Sequence, residues 1–301
     1  MKNVLVVGSI NMDLTIYTDK MPVLGETVTG TGFFSAFGGK GVNQAAALAK
    51  QGMNVKFIGA VGNDLNGEKC LKNLKDMGIE FLGKVIPDVS TGVASITVCN
   101  GNNCITLHEG ANAFVNTDIL ESNHEAYEWA DIVVMQLEIP VDTVVKSCKM
   151  AKQHNCIAVL NPAPVKELPY EIYKYTDIII PNEHEAKSLT GIECNDEKSC
   201  EEAVCELKKR GVKSIIITLG ENGCAYTENG SIIFKKAYKA KAVDTTAAGD
   251  SFIGGLCSEL ENTDELAGAV DYASKVSAIT VSKPGASDSI PTRKEVSERF
   301  G

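Results

Sequence analysis

The sequence predicts an α/β fold, a doubly wound and mostly parallel β-sheet with helices on both faces, together with a second, small β-sheet. Short runs that are apolar almost throughout recur along the chain, as expected for strands that are buried on both faces. Stretches of helical character separate these runs. Two segments, residues 11–36 and 91–108, break the alternation because they have strand character without a helix.

The predicted buried strands are NVLVVGSI, VKFIGAVG, DIVVMQL, CIAVLNP, DIIIPN and SIIITLG, in chain order. The predicted helices between them are VNQAAALAKQG, GEKCLKNLKDMG, VDTVVKSCKMAKQHN and SCEEAVCELKKRG. Several of these helical segments end in glycine, which is a common signal for a helix C-terminus. Because strands and helices alternate, the strands are predicted to run parallel and the helices to cover the sheet.

Residues 11–36 and 91–108 are predicted to form the small sheet, with a hairpin turned at Gly101-Asn102 in the second segment. In INMDLTI polar and apolar side chains alternate: Asn11, Asp13 and Thr15 share one face, and Ile10, Met12, Leu14 and Ile16 share the other. The polar face is expected to cover a ligand as a lid. The apolar face is expected to rest partly on the main domain, near Ile10, and otherwise on a second subunit. Residues 1–301 are therefore predicted to form one domain with these inserted lid segments.

Composition excludes several classes of function. The chain has 301 residues, 44% of them hydrophobic, and a net charge of −10 without a dense lysine and arginine cluster, which disfavours nucleic acids and anionic membranes as partners. Asn11 and Asp13 interrupt the first apolar run before it reaches signal-peptide length, and no later run is long enough to span a membrane. The ten cysteines include no C-x-x-C pair, which indicates reduced thiols and a cytoplasmic location. The four histidines form no H-E-x-x-H pair, which disfavours a zinc hydrolase.

The stretch VDTTAAGDSFIGG, residues 243–255, places a carboxylate beside a turn of small residues at the mouth of a helix that is predicted to run from Ser251. The backbone amides of residues 247–249 would be unpaired there, and with the helix dipole they would form an anion hole that a phosphate can approach closely. Asp250 is itself negative, so it fits a base that takes a proton from an attacking hydroxyl. The alternative is an acid that only stabilises its own helix.

Two further turns carry polar side chains. In FGGKGVNQ, residues 37–44, glycines surround Lys40 and Asn43 begins an Ala-rich helix, but the spacing is not that of a P-loop. This turn either packs a helix close to the sheet or binds a polyol or phosphate. In PNEHEAKSLTG, Asn182 and Glu185 form a capping box or lie near Mg²⁺ and nucleotide phosphates.

Two weaker signals also lie where predicted strands end. ITLGENG, residues 217–223, is either a hairpin turn or a backbone cradle for a nucleotide. Glu138, in MQLEIP, is a lone carboxylate that can accept a hydrogen bond from a hydroxyl group.

Taken together and in order, the motifs GSINMD, GETVTG, FGGKGVNQAAALA, ANA, QLEIP, LNPAP, PNEHEAKSLTG, ITLGENG and AVDTTAAGDSFIGG resemble the PfkB carbohydrate-kinase family. The similarity runs from Gly8 to about Pro291 and includes both family signatures, GGKGxNQA and DTxAAGDxF, at their usual separation. The resemblance implies ATP-dependent phosphorylation of the 5-hydroxyl of D-ribose. It also implies a Rossmann-like core, a β-sheet lid, a homodimer joined through the lids, Mg²⁺, and activation by potassium.

The resemblance also implies a role for each matching residue. The residues expected to bind sugar hydroxyls are Asn11, Asp13, Gly39, Lys40, Asn43, Glu138 and Asp250. Asp250 is expected to be the base, with an anion hole from Ala247, Ala248 and Gly249. The residues expected near ATP are Asn182, Thr218, Gly220, Gly223 and Gly249, with Glu185 acting on Mg²⁺ indirectly. Potassium is expected at Asp244, Thr246, Gly285 and Ser289.

The sequence also bears on three alternative functions. A related pentose or nucleoside kinase, such as a 2-deoxyribose kinase, would need only a small change in the sugar pocket. A non-catalytic sugar or nucleotide sensor should lack the base or the anion hole, and this chain keeps both. A dinucleotide-dependent dehydrogenase is disfavoured because no G-x-G-x-x-G motif follows the first strand.

Overall fold

The computed structural model of the chain describes residues 2–100 and 102–301. The strands are β1 (Asn3–Val7), β2 (Asn11–Thr18), β3 (Gly32–Gly38), β4 (Asn54–Ile58), β5 (Ala60–Gly62), β6 (Glu80–Phe81), β7 (Lys84–Ile86), β8 (Gly92–Cys99), β9 (Asn102–His108), β10 (Ile132–Met135), β11 (Ile157–Leu160), β12 (Ile178–Ile179), β13 (Ser214–Thr218), β14 (Cys224–Glu228) and β15 (Ser231–Lys235). The α-helices are α1 (Lys40–Lys50), α2 (Leu65–Asp76), α3 (Thr117–Glu121), α4 (His124–Trp129), α5 (Val141–Gln153), α6 (Ile172–Tyr175), α7 (Glu183–Thr190), α8 (Glu197–Lys209), α9 (Ala248–Glu259), α10 (Ala267–Thr280) and α11 (Arg293–Phe300).

The central sheet has nine strands in the order β15-β14-β13-β12-β11-β10-β1-β4-β6. The strands from β13 to β6 pair in parallel, whereas β14 and β15 add an antiparallel edge. The predicted doubly wound, mostly parallel sheet is confirmed, and β14–β15 is an addition that the sequence analysis did not predict. The strand order reverses between β1 and β10, which is where open α/β sheets bind their ligands.

The two faces of the sheet carry two separate hydrophobic cores. Alternate residues of β1 point to opposite sides, so Leu5 and Val7 pack with α5 and α8, whereas Val4 and Val6 pack with α1, α2, α9 and α10. All four of these side chains are fully buried. The helices therefore lie on both faces, as the apolar strand runs predicted.

Glycines let the helices beside the site approach closely. A Cβ atom at Gly254 would lie 2.3 Å from the Cβ of Ala47 in α1, and one at Gly255 would lie 2.9 Å from the Cα of Ala273 in α10. Since neither contact is sterically possible, the two glycines permit α9 to pack between α1 and α10. This packing brings the N-terminus of α9 beside that of α1.

The second sheet has four strands in the order β3-β2-β8-β9. Strands β8 and β9 form an antiparallel pair, as the predicted hairpin requires, and the predicted turn residue Gly101 lies outside the described residues. The expectation that the apolar face of β2 rests on the main domain near Ile10 holds, but the main core covers more of this face than expected. Ile10 and Met12 are buried, and Leu14 packs against the core that contains α1 and α2.

Two boundaries also differ from the prediction. The run VKFIGAVG is two strands, β4 and β5, because the chain leaves the central sheet at Gly59, where a Cβ would lie 2.7 Å from the carbonyl oxygen of Gly8. Helix α9 begins at Ala248 and not at Ser251, so Asp250 lies within its first turn. Within the described part of the chain, no helix has both the length and the apolar character needed to cross a membrane.

Candidate active site

Polar residues, two of them predicted site residues (Glu138 and Asn182), follow the carboxyl ends of neighbouring parallel strands. Ser9 follows β1, Glu138 follows β10, Asn161 follows β11 and Asn182 follows β12. Because the strands are parallel, these ends meet at one edge of the sheet. A cavity of about 1020 Å³ opens there.

Many of the residues predicted to bind the nucleotide and the phosphate line this cavity. Those that line it are Lys40, Asn182, Glu185, Thr218, Gly220, Gly223, Ala247, Ala248, Gly249 and Asp250. The turn between β13 and β14 that was predicted to be a hairpin or a cradle is both a connection of antiparallel strands and part of the cavity wall. The cavity is large enough for a nucleotide, since small-molecule sites usually enclose 300–1,000 Å³.

Asp250 lies at the inner end of this cavity with only 6% of its surface exposed. Its Oδ1 accepts a hydrogen bond from Gln44 Nε2 at 2.9 Å, and its Oδ2 accepts one from Asn43 Nδ2 at 3.2 Å. Both donors lie on α1, which the glycines of α9 bring close. The carboxylate is thus held by donors, and a third group that donates a proton or a hydrogen bond can approach from the cavity.

The turn before Asp250 has the geometry of an anion site. Ala247 adopts a left-handed conformation with φ 59°, which is rare and costly for a residue other than glycine. The amides of residues 247–249 were expected to be unpaired, but the Ala248 amide donates to the Thr245 carbonyl at 3.2 Å, which is a long hydrogen bond. A Cβ at Gly249 would meet no atom within 4 Å, so the glycine faces open space beside the helix N-terminus. A phosphate oxygen can approach this turn without a steric clash.

Acidic groups around Lys40 set the charge of the site. Burial favours the neutral amine of Lys40, but the carboxylates of Asp250, Glu138 and Glu185 outweigh it and raise the pKa of Lys40. Lys40 is therefore a stable cation between the predicted sugar side and the predicted nucleotide side. A cation placed there can bind the transferring phosphoryl group.

On the predicted sugar side, Glu138 is fixed by two donors. Ser9 Oγ donates to Glu138 Oε2, and the backbone amide of Lys40 donates to the same oxygen at 2.9 Å. Burial, followed by the charges of Glu138 and Asp250, raises the pKa of Asp13 to about 7. These three carboxylates therefore lie near one another and repel, which a ligand rich in hydroxyl groups can relieve by donating hydrogen bonds.

Gly38 and Gly39, which precede α1, are each required for a different steric reason. A Cβ at Gly38 would lie 2.1 Å from Asp13 Oδ2, so glycine leaves room for that carboxylate. Gly39 has φ 89° and caps α1, a conformation that other residues rarely adopt. The turn therefore packs α1 against the lid strand, and Asp13 and Lys40 share Glu138 and Asp250 as charged neighbours.

Asn182 and Glu185 form the capping box that was one of their two interpretations. The Asn182 side chain accepts from the Glu185 amide at 2.8 Å, and Glu185 accepts from the Asn182 amide at 2.9 Å and from its Nδ2 at 3.1 Å. Glu185 is buried, which is the main reason that its pKa is raised. The pair is structural, and it also lines the nucleotide cavity.

Asp244 connects the loop that precedes the turn of residues 247–249 to the loop that carries Gly285. Its Oδ1 accepts from the Thr246 amide at 2.9 Å, and its Oδ2 accepts from the Gly285 amide at 3.0 Å. Burial alone would raise the pKa of Asp244, but these hydrogen bonds outweigh it and lower the pKa. Ser289 is buried on the second loop, where its hydroxyl donates to the Ala286 carbonyl at 2.7 Å.

Sequence reasoning missed several polar residues of the site. Gln44 and Asn161 are buried next to Asp250, and Ser9 holds Glu138. Asn161 and Ser9 follow strands, so their position at the sheet edge was a signal that could have identified them. Tyr238 and Ser274 also line the nucleotide cavity.

Comparisons with known proteins agree with this geometry. A family model described as "pfkB family carbohydrate kinase" matches residues 1–293. A bifunctional ribokinase/ribose-5-phosphate isomerase A from Fructilactobacillus sanfranciscensis is 42% identical over 300 residues, which are 98% of this chain but only 56% of that protein. A ribokinase from Staphylococcus aureus is 38% identical over 300 residues, 98% of each chain.

The fold comparison extends over the same length. The structure of Arabidopsis thaliana ribokinase complexed with ribose and ATP aligns with a TM-score of 0.91 at 29% identity, covering 99% of this chain and 98% of that one. The family match covers both glycine-containing turns, Asp244 and Asp250, and the strand ends that surround the cavity. The chain therefore belongs to the pfkB family of carbohydrate kinases.

Proposed function

We propose that the protein transfers the γ-phosphoryl group of ATP to the 5-hydroxyl of D-ribose, giving D-ribose 5-phosphate and ADP. The observation that carries this proposal is the position of Asp250 between two groups of residues. On one side lies the turn of Ala247, Ala248 and Gly249, which opens into a cavity of nucleotide size. On the other side lie Asn43 and the carboxylates of Asp13 and Glu138, and Lys40 lies between the two groups.

This arrangement supplies what phosphoryl transfer to an alcohol needs. A sugar hydroxyl is a weak nucleophile at neutral pH, and Asp250 takes its proton as the new bond forms. The turn of residues 247–249 is called the anion turn below. Its backbone amides and the charge of Lys40 stabilise the negative charge on the phosphoryl oxygens. The lid sheet excludes water, which would otherwise accept the phosphoryl group.

The alternative substrate is a related sugar that lacks one hydroxyl, such as 2-deoxyribose. The donors and acceptors on the sugar side, Asn11, Asp13, Lys40, Asn43 and Glu138, favour the sugar with more hydroxyl groups, because a buried polar group left unpaired weakens binding. A substrate panel with ATP that measures kcat/KM for ribose, deoxyribose, fructose and nucleosides tests this choice. Ribose should have the highest value. A higher value for deoxyribose or a nucleoside would replace ribose as the substrate.

Mg²⁺ is proposed to enter with ATP. Among residues 2–100 and 102–301, no group of three or more acidic, histidine or cysteine side chains could hold a metal ion by itself. Mg²⁺ does not need such a group of protein ligands, because it usually keeps several waters and binds phosphate oxygens. Glu185, whose oxygens already accept from Asn182, fits a contact through water. When bound, the ion neutralises phosphate charge during the transfer.

The use of ATP and the ten free thiols fit a reducing compartment, so the proposed location is the cytoplasm.

Potassium is proposed to bind beside the anion turn, at the loops that Asp244 joins. The ionised carboxylate of Asp244 and the oxygens of Thr246, Gly285 and Ser289 fit a monovalent cation, whose charge would support the anion turn. We expect potassium to raise kcat and Asp244→Ala to blunt this response, in assays that compare potassium with sodium or choline. Asp264→Ala, at an exposed acid remote from these loops, is the control. Equal wild-type activity in all three salts would show that the site is absent or unused.

The protein is also proposed to be a homodimer that is joined through its lid sheets. The apolar side chains that remain exposed lie mainly on the face that carries Asp13, because strand pairing places Phe34, Ile105 and Leu107 on that face. They are 47%, 55% and 39% exposed. Burial of such a side chain contributes about 1.5–3 kcal/mol, so a second lid is a favourable partner.

Ile105→Asp is expected to weaken the dimer and the affinity for the sugar together, because one sheet serves both functions. Analytical ultracentrifugation and the KM for ribose measure the two effects. Leu65→Asp, which changes an exposed leucine of α2 outside the lid, should change neither. A wild-type protein that is monomeric at micromolar concentration with full activity would contradict the proposed dimer.

A further inference from the structure

Three buried amide side chains form a connected network behind Asp250. Gln44 and Gln136 are fully buried, and Asn161 is 8% exposed. Gln44 Nε2 donates both to Asp250 Oδ1 at 2.9 Å and to Asn161 Oδ1 at 3.2 Å. Gln136 Nε2 donates to Gln44 Oε1 at 2.6 Å. The network joins α1 to the ends of β10 and β11 and so to the core of the sheet.

The orientation of each amide in this network is determined by its partners. Asn161 Nδ2 donates to the Ile180 carbonyl at 3.0 Å, so its oxygen must be the atom that faces Gln44. An ionised carboxylate and an amide oxygen can only accept hydrogen bonds, so both protons of the Gln44 amino group are used. The oxygen of Gln44 then has to accept, and Gln136 supplies the donor.

The hydrogen-bonding groups of this network are not all satisfied. Gln136 Oε1 is buried and has no hydrogen-bond partner among the described residues. A Cβ at Gly8 would lie 2.2 Å from this oxygen, so the glycine at the end of β1 leaves the room that Gln136 occupies. A buried unpaired oxygen disfavours folding, so stability alone is a poor explanation for three buried amides at this place.

We propose that Gln44 is a positioning residue for the catalytic base: it fixes Asp250 Oδ1 and stabilises the ionised carboxylate, so that Oδ2 faces the attacking hydroxyl. This inference rests on the proposed function in one respect, the identification of Asp250 as the base. Asn161 and Gln136 hold the amide of Gln44 in the orientation that donates. The network therefore presents the carboxylate in one rotamer before the sugar binds.

The test replaces Gln44 with leucine, which keeps the approximate volume and removes the donor. We expect kcat at pH 7 to fall about 10- to 100-fold, the usual weight of a hydrogen bond to a charged group, while the KM for ATP changes less than about threefold. Because the lost hydrogen bond favoured the ionised carboxylate, the acidic limb of the kcat profile should also move to higher pH in Gln44→Leu. Gln44→Glu should move the limb further, because a second acid then shares the site.

The matched control is Gln51→Leu. Gln51 directly follows the same helix, is 2% exposed and makes two amide hydrogen bonds, to the Pro291 carbonyl and from the Tyr272 hydroxyl, away from the site. It should keep the wild-type pH profile. A pH-independent loss in Gln44→Leu that matches a loss in Gln51→Leu, or a wild-type profile in Gln44→Leu, would overturn the proposal.

A measurement without turnover separates this inference from the proposed function. If the wild type and Gln51→Leu do not phosphorylate ribose, the substrate assignment fails, and carbon-13 NMR of the Asp250 carboxyl then decides the inference. The titration midpoint of this carboxyl should be higher in Gln44→Leu than in the wild type, with Asp250→Asn used to assign the resonance. Identical midpoints would show that Gln44 does not act on Asp250.

Discussion

Replacing Asp250 with asparagine is expected to lower kcat by about 10²- to 10⁴-fold while the protein folds and still binds the sugar. The asparagine keeps the shape of the side chain, and its oxygen can still accept from Gln44 or Asn43 at the two positions seen for the carboxylate. It cannot take the proton of the attacking hydroxyl. Steady-state kinetics with ribose and ATP measure the loss, and calorimetry measures the sugar affinity.

Asp76→Asn is the matched control, because it removes an exposed carboxylate of α2 that pairs with Lys72. This variant should have wild-type kinetics, since exposed ion pairs contribute little. A folded Asp250→Asn protein that retains near-wild-type kcat would remove Asp250 as the base. The anion turn and the nucleotide cavity would then have to act with another proton acceptor.

Asp13→Asn is expected to have opposite effects on activity and on stability. Ionised Asp13 accepts hydrogen bonds from sugar hydroxyls, and its loss should lower kcat/KM for ribose about 10²-fold or more, since hydrogen bonds to charged groups are the strong ones. In the ligand-free protein, burial and the charges of Glu138 and Asp250 raise the pKa of Asp13 from 3.8 to about 7. The wild type should therefore bind ribose less tightly below pH 7, where Asp13 is protonated.

The raised pKa also determines the sign of the stability effect. Between pH 4 and pH 7 the folded protein holds a proton on Asp13 that the unfolded chain has lost, so the contribution of this group to stability decreases as the pH rises. At pH 8 Asp13 is ionised in the folded protein and destabilises it. Asp13→Asn should therefore raise the free energy of unfolding by on the order of 1–3 kcal/mol. At pH 4 the gain should vanish.

Thermal and urea unfolding at the two pH values measure this difference, and Asp19→Asn, at an exposed acid that follows the same strand, is the control. If Asp13→Asn is less stable than the wild type at pH 8, Asp13 is not under charge repulsion in the free protein. If sugar affinity is also unchanged, Asp13 is not part of the sugar site.

The sheet and the position of the site could be predicted because their signals are local. Apolar runs identify buried strands, and polar residues that directly follow them, such as Glu138 and Asn182, must lie at the carboxyl edge of a parallel sheet. The capping box of Asn182 and Glu185 is likewise encoded within four residues. Helix α9 was placed correctly, apart from its start, by its small residues and its acid.

The contacts around Asp250 had no such local signal. Gln44 and Asn161 are polar residues that usually lie on the surface, and their burial follows only from the packing of α1 on α9 and on the sheet. The raised pKa of Asp13 depends first on its burial and then on two acids far along the chain. The alternation of polar and apolar residues in one strand cannot show which groups other strands bring near it.

The lid shows the same limit. The alternation in β2 correctly separates Asp13 from Met12 and Leu14, but the neighbouring strands decide what each face becomes. Because β3 and β9 place Phe34, Ile105 and Leu107 beside the polar residues of β2, the face with Asp13 is also the one with most exposed apolar side chains. The other face is partly covered by the main core, which no single strand can reveal.

The central claim is that the protein phosphorylates ribose at its 5-hydroxyl with ATP, and phosphorus-31 NMR of the products tests it most directly. The protein is incubated with ATP, Mg²⁺ and carbon-13-labelled ribose in potassium buffer, and Asp250→Asn serves as the inactive control. The account predicts equal amounts of ADP and ribose 5-phosphate, with phosphorus coupled to carbon 5 of the sugar. A phosphate on another carbon, or ADP and inorganic phosphate without a sugar phosphate, would contradict it.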